Sequence, residues 1–179
     1  MMRVVADWRR SLRVYWYRAD KFAWMFFLTA AAVVTLLAVL AYAVFAHQDE
    51  RREMARELER RNIECLARNI YFEARGEPAA GQYAVAEVTM NRKASRFFPR
   101  SVCAVVYEKS AFSWTASVSL AEPGGEEWER AGQIAEAVYY QRYTPVLNGA
   151  LYYHAAYVSP EWAKEKRRVA RIGAHIFYK

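Results

Sequence analysis

From Phe22 to Ala46 the chain runs 25 positions without a charged residue, FAWMFFLTAAAVVTLLAVLAYAVFA. As a helix rising about 1.5 Å per residue, this stretch is long enough to cross a hydrocarbon core of about 30 Å with some tilt. The mean hydropathy of the whole chain, −0.18, excludes a polytopic membrane protein, so the run reads as a single span and the rest is read separately. Tyr15, Trp16, Tyr17 and Trp24 at one end and Tyr42 at the other are amphipathic rings of the kind that settle at membrane interfaces. Arg3, Arg9, Arg10, Arg13, Arg18 and Lys21 precede the span, whereas Arg51, Arg52 and Arg56 after it are mixed with acids. The positive-inside rule therefore places residues 1–21 in the cytoplasm and everything after residue 46 outside the inner membrane. A cleaved signal peptide competes with this reading, through the small-x-small pattern Ala41-Tyr42-Ala43 and the Arg9-Arg10 pair. Signal h-regions run about 7–15 residues, so a retained anchor in residues 22–46 is favoured.

Outside the span the charge is +4 over residues 1–21, zero over 47–61 and +3 over 62–179, too little anywhere to indicate a nucleic-acid binder. Residues 47–62, HQDERREMARELERRN, lack Gly and Pro and hold good helix formers, with Glu57 and Arg61 at i,i+4 spacing. They read as a solvated helical stalk. Cys65 and Cys103, the only cysteines, suit a disulfide in an oxidising exterior and are too few for a zinc site by themselves.

At Ile63 a different pattern starts. Ile63, Leu66 and Ile70 recur at i, i+3 and i+7, the stripe of a helix facing a core, and seven positions beyond Leu66 the same face carries Glu73. Gly76 suits a left-handed helix end and Pro78 the first turn of a following helix, which sets Glu73 within a turn of a helix terminus beside a cleft. Burial there raises a carboxyl pKa and keeps the acid protonated, while Arg75 pulls the other way; an ordinary ion-paired glutamate is the competing reading. The second helix, Ala79 to about Lys93, directs Tyr83, Ala84, Val88 and Met90 inward and Gln82 and Glu87 outward. Val102–Tyr107 reads as a short apolar element, 111–115 as a strand lining the cleft, Pro123-Gly124-Gly125 as a loop and 126–143 as a helix with Ala131, Ile134, Ala135 and Val138 inward. Segments 151–154 and 175–178 read as strands, and the basic run 164–171 as a solvated face able to meet peptide carboxylates.

The segments CLARNIYFEARGEPAAGQYAVAEVTMNRKAS, FFPRSVCAVVYEKSAFSWT, ALYYHAAYVSPEWA and RIGAHIFYK resemble the SleB-type cell-wall hydrolases, the spore-cortex-lytic family, over roughly Cys65 to Lys179. The specific part is the E-A-R-G-E-P-x-x-G-Q core with Asn91-Arg92, Phe98-Pro99 and Phe112-Ser113-Trp114 after it. The resemblance implies an α+β fold, a lysozyme-like and mostly helical catalytic domain with a small sheet, occupying residues 63–179 behind the single transmembrane helix. It also implies cleavage of peptidoglycan glycan strands, commonly as a lytic transglycosylase, with the first glutamate of the core, Glu73, as catalytic acid. Cortex specificity is not implied, because the repeat that often binds peptidoglycan in spore enzymes is replaced by an anchor.

A glycosidase that hydrolyses needs a second carboxylate as nucleophile or base. Glu77 is the close candidate, but just before Pro78 it is better suited to stabilising the next helix N-terminus than to direct catalysis. In a transglycosylase the muramic C6 hydroxyl attacks intramolecularly, and one glutamate serves as acid and then base. The cleft is expected to hold Glu77, Gln82, Phe112, Ser113, Trp114, Tyr152, His154 and Trp162 around Glu73, with Trp114 offering an open face to sugar, Phe112 better suited to the core, and His154 better suited to a structural hydrogen bond than to a metal. No metal or cofactor is expected; the partners are peptidoglycan and the membrane. Two alternatives stay open, an N-acetylmuramoyl-L-alanine amidase, which would need more His and Glu ligands than are apparent, and a non-catalytic peptidoglycan-binding membrane protein.

Overall fold

The computed structural model describes residues 2–117 and 120–179, with side chains from Phe22 onward. Tyr15, Trp16 and Tyr17 of the expected aromatic belt thus lie outside the described side chains. The chain divides into two compact units, Met1–Met54 and Ala55–Lys179. The first is helical, formed by part of α1 (Met2–Ala74), and its apolar side chains from Phe22 to Phe45 are exposed, Trp24 and Tyr42 among them. By length and composition this helix can cross a membrane. The two threonines in the apolar run are satisfied internally, Thr29 on the Phe26 carbonyl and Thr35 on those of Ala31 and Ala32.

The second unit is α+β, mostly helical with a small antiparallel sheet, as expected. After the end of α1 come α2 (Ala79–Ala94), α3 (Val102–Val106), a 3₁₀ turn (Ser113–Ala116), α4 (Gly125–Tyr139), β1 (Tyr152–Ala155), a second 3₁₀ turn (Glu161–Glu165), β2 (Arg168–Ile172) and β3 (His175–Tyr178). The strand order is β1-β3-β2, with Tyr153 opposite Phe177, Ala155 opposite His175, and a bulge in β2 between Arg168 and Ala170.

Two apolar clusters meet along α2. Leu66 and Ile70 of α1 pack with Ala86, Val102, Val106, Phe112, Trp114, Ile134 and Val138, while Ala84 and Val88 meet Leu147, Ala150 and Phe177. Tyr153 packs against both. The stripe read from Ile63, Leu66 and Ile70 is the buried face of α1, and Ala131, Ile134, Ala135 and Val138 are the buried face of α4.

Gln82 and Glu87 do not point outward; both are buried, because α2 is covered by helices on one side and by the sheet and its approach on the other. Each polar group finds backbone instead, Gln82 Nε2 donating to the Glu77 carbonyl at 3.0 Å and Glu87 accepting from the amides of Val146 and Leu147 at 2.9 and 3.1 Å. Gly76 is not among the left-handed glycines; the turn after α1 closes by the Glu77 amide donating to the Ala74 carbonyl. Residues 111–115 form no strand, since a 3₁₀ turn starts at Ser113. Helix α4 stops at Tyr139 rather than 143, where Gln141 takes a left-handed conformation (φ 56°) and Arg142 donates back to the Ala137 carbonyl. The basic run read as a solvated face supplies β2, whose Arg168 and Arg171 are exposed while Val169, Ala170 and Ile172 are partly buried against the second cluster.

Cys65 and Cys103 form a disulfide between α1 and α3, with Cα atoms 5.2 Å apart. Asn62 reinforces the same junction, its Oδ1 accepting from the amides of Val102 and Cys103, and Ser101 caps α3 through the Ala104 amide. Because the bridge spans 38 residues, chain entropy assigns it about 3–4 kcal/mol. Reduction, or Cys103→Ser, is expected to lower the unfolding free energy in urea by that amount; equal midpoints for oxidised and reduced protein would contradict it.

Candidate active site

Glu73 lies in the last turn of α1, on the buried stripe and half-buried itself. Its partner comes from the sheet: the Tyr153 hydroxyl donates to Glu73 Oε2 at 2.9 Å. Burial is the largest influence on the carboxyl and raises its pKa above the ordinary glutamate value; the Tyr153 hydrogen bond and the Arg92 charge oppose it without cancelling it. Tyr153 is pushed the same way, well above the ordinary phenol, by burial and then by the adjacent Glu73. The phenol therefore keeps its proton and serves Glu73 as a fixed donor.

The cation near this pair is Arg92 rather than Arg75. Arg75 is exposed and turned to Tyr71, its guanidinium over that ring and Nη1 3.4 Å from the hydroxyl. Arg92 is buried, donates from Nε to the Leu151 carbonyl at 2.8 Å, and lies over the rings of Phe98 and Phe112 at 5.4 and 5.2 Å from their centroids. Burial lowers its pKa from the arginine value, yet a guanidinium stays charged across the working range of pH. Two aromatic faces and a carbonyl thus hold a desolvated cation in place.

One turn before Glu73, Asn69 is fully buried and joins three elements. Its Nδ2 donates to Thr89 on α2 and its Oδ1 accepts from Trp114 Nε1, both at 3.1 Å. Trp114 is consequently a core residue, stacked on Phe72 at 4.7 Å, and the open face expected of it is covered. Phe112 is in the core as expected, beneath Arg92, and Ser113 is exposed at the head of the 3₁₀ turn.

Strand alternation separates the remaining candidates. Tyr153, His175 and Phe177 share the face of the sheet that meets the helices, with Tyr153 5.2 Å from the His175 ring and 5.6 Å from that of Phe177. Tyr152, His154 and Tyr178 occupy the opposite face, under Trp162. Tyr152 connects with the Arg92 side through Phe98, at 6.2 Å, and carries Lys166 Nζ 3.8 Å above its ring. His154 is held at both nitrogens: Nδ1 donates to the Ala155 carbonyl, and in the neutral ring Nε2 accepts from the Tyr178 hydroxyl, each at 2.9 Å. Glu77 has a side chain only 15% exposed, with Oε2 accepting from the Ala174 amide at 2.9 Å; no side chain caps α2. Among the described residues no group of three His, Cys, Asp or Glu side chains comes together.

Of the residues expected in the cleft, the structure therefore sets Glu73 beside Tyr153 and Arg92, keeps Phe112 beneath Arg92, and removes Trp114, Gln82 and His154 to structural contacts. Sequence reasoning missed Tyr153, Arg92 and Asn69. Alternation along Tyr152-Tyr153-His154 was the available signal for Tyr153, because one of two adjacent tyrosines must face the helices.

Residues 76–178 match the family described as cell wall hydrolase. The spore cortex-lytic enzyme of Bacillus cereus (strain ATCC 14579) is 32% identical over 118 residues, 66% of this chain and 44% of that protein. The spore cortex-lytic enzyme of Bacillus subtilis (strain 168) is 34% identical over 116 residues, 65% of this chain and 37% of its own length. The chain thus spans less than half the length of these curated relatives. Among solved structures, the catalytic domain of the Bacillus cereus SleB protein is similar with a TM-score of 0.55 at 34% identity, covering 66% of this chain and 89% of that one. The catalytic domain of the germination-specific lytic transglycosylase SleB from Bacillus anthracis gives the same score and identity, covering 66% and 93%. With more than half its residues matched by the family and its fold shared with two solved members, the chain belongs to the cell wall hydrolases.

Proposed function

We propose that this chain cleaves peptidoglycan glycan strands between N-acetylmuramic acid and N-acetylglucosamine as a lytic transglycosylase, with Glu73 as its one acid and base. The observation that carries the reading is a half-buried carboxyl whose pKa is raised by desolvation and whose orientation is fixed by Tyr153. The neighbouring carboxylate, Glu77, is engaged by the Ala174 amide, which favours a mechanism with a single carboxyl. Protonated Glu73 gives its proton to the glycosidic oxygen as the bond from muramic C1 breaks. The muramic C6 hydroxyl then adds to C1, its proton returns to Glu73, and the product carries a 1,6-anhydro ring. Tyr153 holds the carboxyl in aim through both transfers. Family membership and the relatives named above support the glycan strand as substrate.

Residues 1–21, 22–46, 47–62 and 63–179 are assigned as cytoplasmic segment, inner-membrane span, stalk and extracytoplasmic catalytic domain. The exposed apolar side chains of the span and the Cys65–Cys103 bridge support this arrangement. A reporter fused after residue 46 is expected to be active outside the inner membrane, and activity only in the cytoplasm would overturn the topology.

Glu73→Gln is expected to lower release of anhydro-muropeptides by about 10²–10⁴-fold. Mass analysis of digested peptidoglycan checks this, since reducing ends, free peptides or unchanged sacculi from the unsubstituted protein would each overturn the transglycosylase assignment. The same variant tests the electrostatics. A folded-state pKa above the unfolded value means the wild-type carboxyl favours folding least once pH rises through the raised pKa, where a desolvated charge must be held. The melting temperature of Glu73→Gln relative to wild type should therefore climb as pH rises from acid toward neutral; a constant difference would contradict the shift.

A further inference from the structure

Glu73 and Glu77 stand four positions apart, and both reach the sheet. Glu73 does so through Tyr153 of β1. Glu77, beyond the end of α1, does so through the turn between β2 and β3: Oε2 accepts from the Ala174 amide, and Oε1 faces His175 Nδ1 at 3.9 Å. The surroundings are shaped around that carboxylate. Gly173 is left-handed (φ 58°), and a Cβ there would overlap Glu77 Oε2; a Cβ on Gly81 would come within 3.1 Å of Glu77 Cβ. Gln82 Nε2 holds the Glu77 carbonyl from the other side.

His175 links this clamp to the catalytic pair. Its ring stands edge-on to Tyr153, 5.2 Å away with the planes 89° apart, so Tyr153 lies between the two, its hydroxyl on Glu73 and its ring against His175. Buried Nδ1 has no hydrogen-bond partner. Proteins rarely leave such an atom unsatisfied, and the acceptor it faces is Glu77, reached by a shift of about 1 Å to ordinary hydrogen-bond length. We propose that Glu77 and His175 act as one positioning unit for the proposed acid and base, fixing Tyr153 and through it the aim of Glu73.

This inference rests on the reading of Glu73 as acid and base. The titratable groups around His175 are Glu77 from the turn after α1, Tyr153 of β1 on the same face of the sheet, and His154 of β1 on the opposite face. Burial holds the imidazole below the ordinary histidine pKa, Glu77 draws it up and His154 pushes it down, so the ring is neutral near pH 7 and gains a proton only in acid. Protonation makes Nδ1 a charged donor to Glu77 and draws the ring toward it. The unit therefore adds an ionisation to the pH dependence of kcat that belongs to neither Glu73 nor Tyr153.

The test is a double-mutant cycle in the full chain with Glu77→Gln, His175→Phe and the pair together, reading kcat, KM and the pH profile of kcat for anhydro-muropeptide release. Misplacing a reacting group by about 1 Å can cost ~10²-fold in rate. Each single change should lower kcat by about tenfold or more with KM within about twofold, and the double change should be no worse than the worse single one. His175→Asn, whose amide can donate from the position of Nδ1, should recover part of the loss. If His175→Phe does not fold, Glu77→Gln and His175→Asn form the cycle. Full kcat with an unchanged pH profile in both singles, additive losses, or losses matched by the unfolded fraction would overturn the unit. An inactive Glu73→Gln beside indifferent Glu77 and His175 variants refutes the clamp alone, whereas an active Glu73→Gln beside an inactive Glu77→Gln overturns the assignment of the acid and the clamp with it.

Discussion

The hydrogen bond from Tyr153 to Glu73 joins a helix end to a strand 80 residues farther along the chain, and the second compact unit is arranged around keeping those two groups together. A carboxyl held half out of water is unfavourable when charged unless a donor is fixed beside it. A tyrosine serves only if its own hydroxyl cannot ionise or swing into solvent. Burial of Tyr153 between the two apolar clusters meets both conditions, raising its pKa and immobilising its ring.

Helix α2 is what brings the strand to the carboxyl. It is buried almost all round, and its polar side chains hold the chain that leads into β1: Glu87 takes the amides of Val146 and Leu147, Asn91 donates to the Ala150 carbonyl, and Arg92 to that of Leu151. A ladder of side chain to backbone bonds along one helix thus fixes an irregular segment in register just before Tyr152. On its other side the Asn69 link to Thr89 and Trp114 sets α2 against α1. These polar groups along α2 are specific because each has a partner from a different element, and an alternative packing would strand several of them in an apolar interior. Burial raises the Glu87 pKa despite two amide donors, and Tyr143 beside it is pushed up to about 12.

Helix faces were legible in the sequence and sheet faces were not. The Ile63, Leu66, Ile70 stripe and the α4 stripe appear because a helix buried on one side writes a 3.6-residue period into the chain. Helix α2 obscured its orientation because it is buried on nearly every side, so polarity no longer marks the outside, and Gln82 and Glu87 read as surface. Glu73 was visible as a carboxylate interrupting an apolar stripe. Its partners were not: Tyr153 stands beside an equally aromatic Tyr152, and period-2 alternation divides the two without saying which faces inward. The Trp114 side chain became core through its bond to Asn69, a contact 45 residues apart that no local pattern records. Strand β2 was hidden by its arginines, which are exposed on a strand whose intervening residues pack inward.

The middle strand of the sheet is the last of the three to be synthesised. β1 and β2 do not pair with each other; each pairs with β3 alone. Until His175–Tyr178 are synthesised there is no sheet, Phe177 is missing from the second cluster, and Tyr153 has the first cluster against it but no paired strand behind it. The helices, linked by local contacts and by a bridge between residues 65 and 103, can gather before that point. A chain synthesised only as far as β2 therefore already contains Glu73 but lacks the sheet that completes the seat of Tyr153 beside it. In a member of the cell wall hydrolases, this topology makes the seating of Tyr153 against Glu73 depend on β3, the strand synthesised after both of its neighbours.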